Sequence, residues 1–177
     1  MHSRIYFFLF FIFTLPVFAQ GTEGIAWEEV YINDKIKLTV SQSDFEKRYK
    51  KADSISDAFD EDICPGKVLE DIKMYYYRGI KYELENGTLN FRSIDFTKRK
   101  AMYFAIEGDW FDHTTSLKSF HRSFPEESKY VEDLEDENGE EFQRIVIFPK
   151  NMAEAYEWNF DFKNGKLRSI EFVPNCQ

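Results

Sequence analysis

Cysteine and histidine, the side chains most used for thiolate, imidazole and soft-metal chemistry, number only two and three in this chain. Cys64 and Cys176 have no CxxC spacing and no neighbouring histidine, so neither carries the signature of a metal pair or an activated thiol. His113 follows Asp109 and Asp112, but it lies near an expected helix start, where Asp and Thr serve as caps. His121 has no histidine four residues away, as a helical metal site would require. The acidic run from Glu132 to Glu141 invites a calcium loop. With Gly139 at the sixth position, however, Leu134 and Ile145 fall at the first and twelfth, where oxygen ligands are needed. The run therefore reads as a charged hairpin end. No G-x-S-x-G elbow and no glycine-rich phosphate loop is present, and carboxylate pairs in so acidic a chain single nothing out. These residues predict no catalytic group, no cofactor and no metal.

The first nineteen residues decide the compartment. Arg4 gives a cationic start, Ile5 to Leu15 form an apolar run, and Val17-Phe18-Ala19 ends it, the pattern of a cleavable secretory signal over residues 1–19. That run is too short for a bilayer, which needs about 20 apolar residues. The sequence predicts an exported protein, periplasmic or extracellular and bacterial, with no stable membrane insertion after cleavage. Removing residues 1–19 takes one arginine and no acid, so the net charge moves from −9 to −10. That sign argues against nucleic acid as a partner. In an oxidising compartment Cys64 and Cys176 are expected to form one disulfide, tying an early loop to the C-terminus.

These features must be carried by elements, and the elements come twice. Ile32 aligns with Ile106, Phe45 with Phe120, Tyr49 with Phe124, Asn86-Gly87 with Asn164-Gly165, and Arg92-Ser93-Ile94-Asp95-Phe96 with Arg168-Ser169-Ile170-Glu171-Phe172, at offsets of 74 to 78. A near-constant spacing is the mark of internal duplication. The expected fold is α+β: two tandem repeats, residues 20–100 and 101–177, each a hairpin, a helix and antiparallel strands, forming one continuous unit.

In the first repeat Trp27–Ile32 and Ile36–Val40 make the hairpin. Ser43 with Glu46 offers a capping box, and Phe45, Tyr49 and Ala52 form an apolar stripe. Ser54 and Asp57 offer the cap of a short second helix. In the second repeat Met102–Ile106 and Trp110-Phe111 make the hairpin, and Thr115 or Ser116 caps a helix with Leu117, Phe120 and Phe124 inward, stopped by Pro125. Three Asn-Gly pairs, at 86, 138 and 164, predict tight two-residue hairpins. Tyr156, Trp158, Phe160 and Phe162 alternate with Glu157, Asn159 and Asp161, the period of a half-buried strand. Met74–Tyr77 and Ile145–Phe148 are apolar on consecutive positions, which puts apolar groups on both sheet faces.

Strand, turn, strand, capped helix and meander, carried by Ile32 to Tyr49 with Ile106 to Phe124 and by two Asn-Gly hairpins ending in Arg-Ser-Ile-acid-Phe, resembles the β-lactamase inhibitor protein architecture and the SmpA/OmlA-type envelope modules. Where such modules often carry Gly before the helix, this chain has Val40-Ser41. The resemblance implies a non-enzymatic protein that binds another protein, from the envelope or outside the cell, through the open face of its sheet. Clustered strand tyrosines supply contact area at low entropic cost, so Tyr75, Tyr77 and Tyr82, with Ile145 and Ile147, are the expected partner surface. An alternative is a carrier of a small apolar ligand, its pocket lined by Trp158, Phe160 and Tyr82. A secreted hydrolase is the last reading, since it needs an acid–base pair converging in a cleft.

Overall fold

The computed structural model describes residues 24–59, 63–65, 67–151 and 154–176; the expected signal over residues 1–19 lies outside them. Among the described residues the chain forms, in order, β1 (Val30–Ile32), β2 (Ile36–Lys37), β3 (Thr39–Ser41), α1 (Gln42–Tyr49), β4 (Ser54–Asp57), β5 (Ile72–Tyr77), β6 (Ile80–Glu85), β7 (Thr88–Asp95), β8 (Phe104–Ile106), β9 (Asp109–Phe111), α2 (Leu117–Ser123), β10 (Val131–Glu135), β11 (Glu141–Ile147), β12 (Tyr156–Lys163) and β13 (Lys166–Pro174). The class is α+β, with antiparallel sheet predominating.

Strands from both halves merge into one large sheet of order β10-β11-β12-β13-β7-β6-β5-β4, with β3 added beside β7. Ile94 of β7 opposes Ile170 of β13 at the seam. A small sheet of order β2-β1-β8-β9 lies over one face of the large one, with Tyr31 opposite Ala105 at its own centre. The two helices share that layer. We call the covered surface of the large sheet its inner face and the other its outer face.

Local chemistry sets the boundaries. The Ser41 hydroxyl accepts the Asp44 N–H at 3.2 Å and starts α1, satisfying one of the donors a helix start leaves unpaired. The cap is thus Ser41, two residues before the expected Ser43. In α2 the cap is Ser116, whose hydroxyl accepts the Ser119 N–H while the Ser119 hydroxyl accepts the Ser116 N–H. That helix gives out at Phe124, since Pro125 supplies no N–H and disfavours helical backbone before it. Asn86-Gly87 and Asn164-Gly165 both take positive φ, as the twist-matched two-residue turn requires. Asn138-Gly139 differs. Its loop runs from Asp136 to Glu140, with the Asp136 carboxylate accepting the Asn138 and Glu140 N–H groups. The second helix expected after Ser54 is instead β4, whose Ser54–Asp57 segment pairs with Tyr76–Lys73. Its residues gain a full backbone ladder there, which an isolated single turn of helix could not match.

Rings fill the space between the layers. Phe45 of α1 packs on Tyr75, Tyr77 and Tyr82 at 5.7, 5.0 and 5.6 Å. Phe120 of α2 packs on Phe160 at 4.8 Å and Phe162 at 5.3 Å. Phe104 of the small sheet meets Trp158 at 5.4 Å. Edge-on and tilted pairs of this kind add about 0.5–1.5 kcal/mol each beyond their buried area. A second, smaller cluster lies on the outer face, where Ala58, Ile63 and Leu69 cover Ile72, Met74 and Tyr76 of β5. Cys64 and Cys176 are bonded, as expected, and pin this covering segment to the C-terminus.

Candidate functional site

The five residues expected to form a partner surface do not form one. Tyr75, Tyr82, Ile145 and Ile147 are 0% exposed and Tyr77 is 4% exposed, all within the main core. The reason is strand phase. Tyr75 and Tyr77 stand opposite Tyr82 and Ile80, and Ile145 and Ile147 opposite Phe160 and Trp158, on the inner face beneath the helices and small sheet. Burial raises the Tyr75 hydroxyl to about 12 and pushes that of Tyr82 up further. Trp158, Phe160 and Tyr82 are likewise fully buried and packed ring against ring, so they line no open pocket.

The outer face is the one left to solvent, and it is patterned across its width. At the β5 side lies the apolar patch covered by the chain's own segment. Charges occupy the middle. Lys67 from the covering segment pairs with Glu83 and, at 2.9 Å, with Glu85, while Arg92 lies 3.6 Å from Glu83. Arg144 of β11 holds Asp161 of β12 in a two-point contact at 2.7 and 3.0 Å, and this raises the guanidinium's affinity for its proton. Glu171 on β13 sits 4.0 Å from the same guanidinium. Its carboxyl is nevertheless raised above the usual range, because burial outweighs the attraction of Arg144.

Beyond the charges a groove of about 530 Å³ opens over β11 and β12. Val146 and Phe148 give it an apolar side, Tyr130 stands beside them, and Glu126, Glu127, Glu132 and Glu157 add carboxylates. Phe148 is 51% exposed and Tyr130 79%. Arg144 and Asn159 complete the lining. Asn159 is only 3% exposed, yet its Oδ1 has no hydrogen-bond partner. An unmet buried acceptor costs about 1–3 kcal/mol where no water reaches it.

The groove is held by its surroundings. The Ile25 N–H donates to the Phe148 carbonyl at 3.0 Å, and the Tyr156 hydroxyl donates to the Ile25 carbonyl at 3.3 Å, so the N-terminal strand-like segment fixes the backbone under Phe148. Gly24, at φ +81, makes this approach possible: a Cβ there would lie 2.7 Å from the Phe148 oxygen.

The histidines lie elsewhere. The His121 ring meets Ser128 Oγ at 2.6 Å beside α2, and His113 follows β9 with Nδ1 buried. Among the described residues no group of three or more His, Cys, Asp or Glu is placed to hold a metal ion. No helix among them is long and apolar enough to cross a membrane.

Sequence alternation held the signal for this groove. The polar phase of β12, Glu157-Asn159-Asp161, identifies its outer face, and the residues on that face are Arg144 and Val146 of β11, with Phe148 just after it, rather than Ile145 and Ile147. No family model, no curated protein and no solved structure matches this chain.

Proposed function

We propose that the chain is an exported, non-enzymatic binding protein that accepts an extended polypeptide carrying apolar and basic side chains in the groove over β11 and β12. The observation that carries this reading is a contrast between two equivalent places. β5 lies two strands from the seam on one side and β11 two strands from it on the other. The outer face of β5 is covered by the chain itself, with Ile63 and Leu69 on Met74 and Ile72 and with Lys67 on Glu83. The outer face of β11 has apolar groups, carboxylates and the unmet Asn159 acceptor, but among the described residues it has no such cover. The internal cover thus indicates the chemistry of the external one: aliphatic groups beside a cation. Export is supported by the signal-like residues 1–19 and by the Cys64–Cys176 bridge.

The same reading treats the chain as a tandem duplication, in keeping with its resemblance to β-lactamase inhibitor and SmpA/OmlA-type modules. Support comes from matched details. The helix caps Ser41 and Ser116 correspond, and the first helical N–H of each, from Gln42 and Leu117, donates to Gly87 and Gly165. The strand register slips at matching places, beside Arg92 in β7 and Arg168 in β13.

Panning a random peptide library on the protein tests the proposal. Recovered peptides should combine aromatic or aliphatic residues with Lys or Arg, and a Tyr130→Ala/Phe148→Ser double variant should bind them at least about tenfold more weakly, as loss of central aromatic anchors does. Peptides that bind the double variant as well as the parent would overturn it.

A further inference from the structure

A second open surface has a different chemistry. On the small sheet, Lys37, Tyr31, Ala105 and Trp110 stand in one register row across its four strands. Neighbouring strands are about 4.8 Å apart, so the backbones that carry Tyr31 and Trp110 are roughly 10 Å apart, with Ala105 on the strand between them. Tyr103, two residues before Ala105, shares that face, its hydroxyl anchored on Asp34 at 2.5 Å. The inward-pointing neighbours Ile32, Phe104, Ile106 and Phe111 are core residues, so this row faces away from the large sheet. Trp110 is 69% exposed.

The groove over this row, about 750 Å³, is lined by six carboxylate side chains and by no Lys, Arg or His. Two cations stand at its border: Lys150 is already engaged by Glu29, at 2.8 Å, and by Glu107, and Lys37 ends the register row on the far side of Tyr31. Asp109 accepts a hydrogen bond from Ser123, and Asp112 from Thr114, but hydroxyl donors leave their charge in place. The groove is therefore aromatic on its walls and, away from Lys37, negative at its rim.

We propose that this groove binds an organic cation with an alkylated ammonium head, seated over Ala105 between Tyr31 and Trp110. A separation of two strands leaves room for a head between the two side chains, with each ring able to come within the roughly 6 Å reach of a cation–π contact. Its alkyl groups give up little hydration and cover the Ala105 methyl and the ring surfaces. A bare ammonium or metal ion would have to shed strongly held water against carbon, and an anion meets the carboxylates. The groove is larger than the head, which leaves room for an uncharged or hydroxylated tail. This site is separate from the groove over β11 and β12 and does not depend on its occupant.

Calorimetric titration of the protein with choline, at low salt, tests the assignment. Two controls isolate the chemistry: 3,3-dimethylbutan-1-ol has the same shape without the charge, and glycine betaine has the same head with an added carboxylate. Choline should bind at least about tenfold more tightly than either. Trp110→Ala and Ala105→Leu should each weaken choline about fivefold or more, the first by removing a ring and the second by filling the slot, with melting temperatures near that of the parent. Choline binding no tighter than the neutral alcohol, or unchanged by Trp110→Ala, would overturn it.

Discussion

Ile94 and Ile170 face each other across the seam of the large sheet, and each is the central residue of an Arg-Ser-Ile-acid-Phe segment. Pairing continues symmetrically on either side, Ser93 with Glu171 and Asp95 with Ser169. Two half-sheets joined in this way expose no edge at the middle, which leaves the short strands β4 and β10 as the outer edges. The joint also aligns both outer faces into one surface, so that a covered patch and an open groove flank a shared band of charge.

The tight turns feeding this seam differ in what a side chain would meet. Gly79, at φ +85, approaches the Asp95 carbonyl so closely that a Cβ would lie 2.6 Å from its oxygen, whereas at Gly87, φ +75, nothing lies within 4 Å. Gly87→Ala should cost only the left-handed backbone penalty, about 1–2 kcal/mol, while Gly79→Ala should cost at least about 3 kcal/mol through the added clash. Thermal melts check the difference: the Gly79 variant should melt roughly 5 °C or more below the Gly87 variant.

The bridge between Cys64 and Cys176, 112 residues apart, is expected to contribute about 4–5 kcal/mol through the entropy of the unfolded chain, less any cost in the folded state. Cys64→Ser/Cys176→Ser should therefore lower the melting temperature by roughly 10 °C. The loss should also be local. Hydrogen exchange should quicken first at β4 and β5, whose outer face relies on the segment that Cys64 holds, and last at β12.

Much of this was legible in the sequence, and the exceptions share a cause. Class, disulfide, the α2 cap within the Thr115-Ser116 pair, the Pro125 stop and two of the three Asn-Gly hairpins follow from local chemistry that neighbouring residues supply. Missed features depend on contacts distant in sequence. Ser54–Asp57 has a helix-cap pattern but becomes a strand because β5 offers it a ladder. Tyr75 and Ile145 look like surface candidates on strands that are apolar on both faces, where composition cannot say which face is open. Only the pairing with β6 and β12, whose alternation is clean, fixes the phase.

Glu171 gives the outer face a pH dependence. Burial raises its carboxyl, so the folded chain holds this proton more tightly than the unfolded one. The sign follows: its favourable contribution is present below the ordinary glutamate range and is lost as pH rises through the raised value. Glu29, Asp57 and Asp136 run the other way, their lowered carboxyls stabilising the fold above the ordinary range and ceasing to do so in acid. Glu171→Gln should thus melt higher than the parent at pH 7 and equal to it near pH 3.5. The Glu171 side chain is half exposed, so solvent screening keeps the gain at pH 7 to about 1–2 °C.

Asn159 allows the structural and binding roles of the groove to be separated. Its Oδ1 is buried without a partner, so in the unbound protein it imposes a cost, whereas a bound donor would remove that cost. Replacing it by the similarly shaped apolar residue, Asn159→Leu, should leave the melting temperature unchanged or raise it by a few degrees, because no Oδ1 hydrogen bond is lost and an unmet acceptor disappears. The same change should weaken peptides selected on the parent by about tenfold, since the donor they present would then face carbon. A purely structural asparagine gives the opposite pair of results: a lower melting temperature with peptide affinity intact. Measuring both on one variant therefore distinguishes a position kept for folding from one kept, at some cost in stability, for gripping a partner.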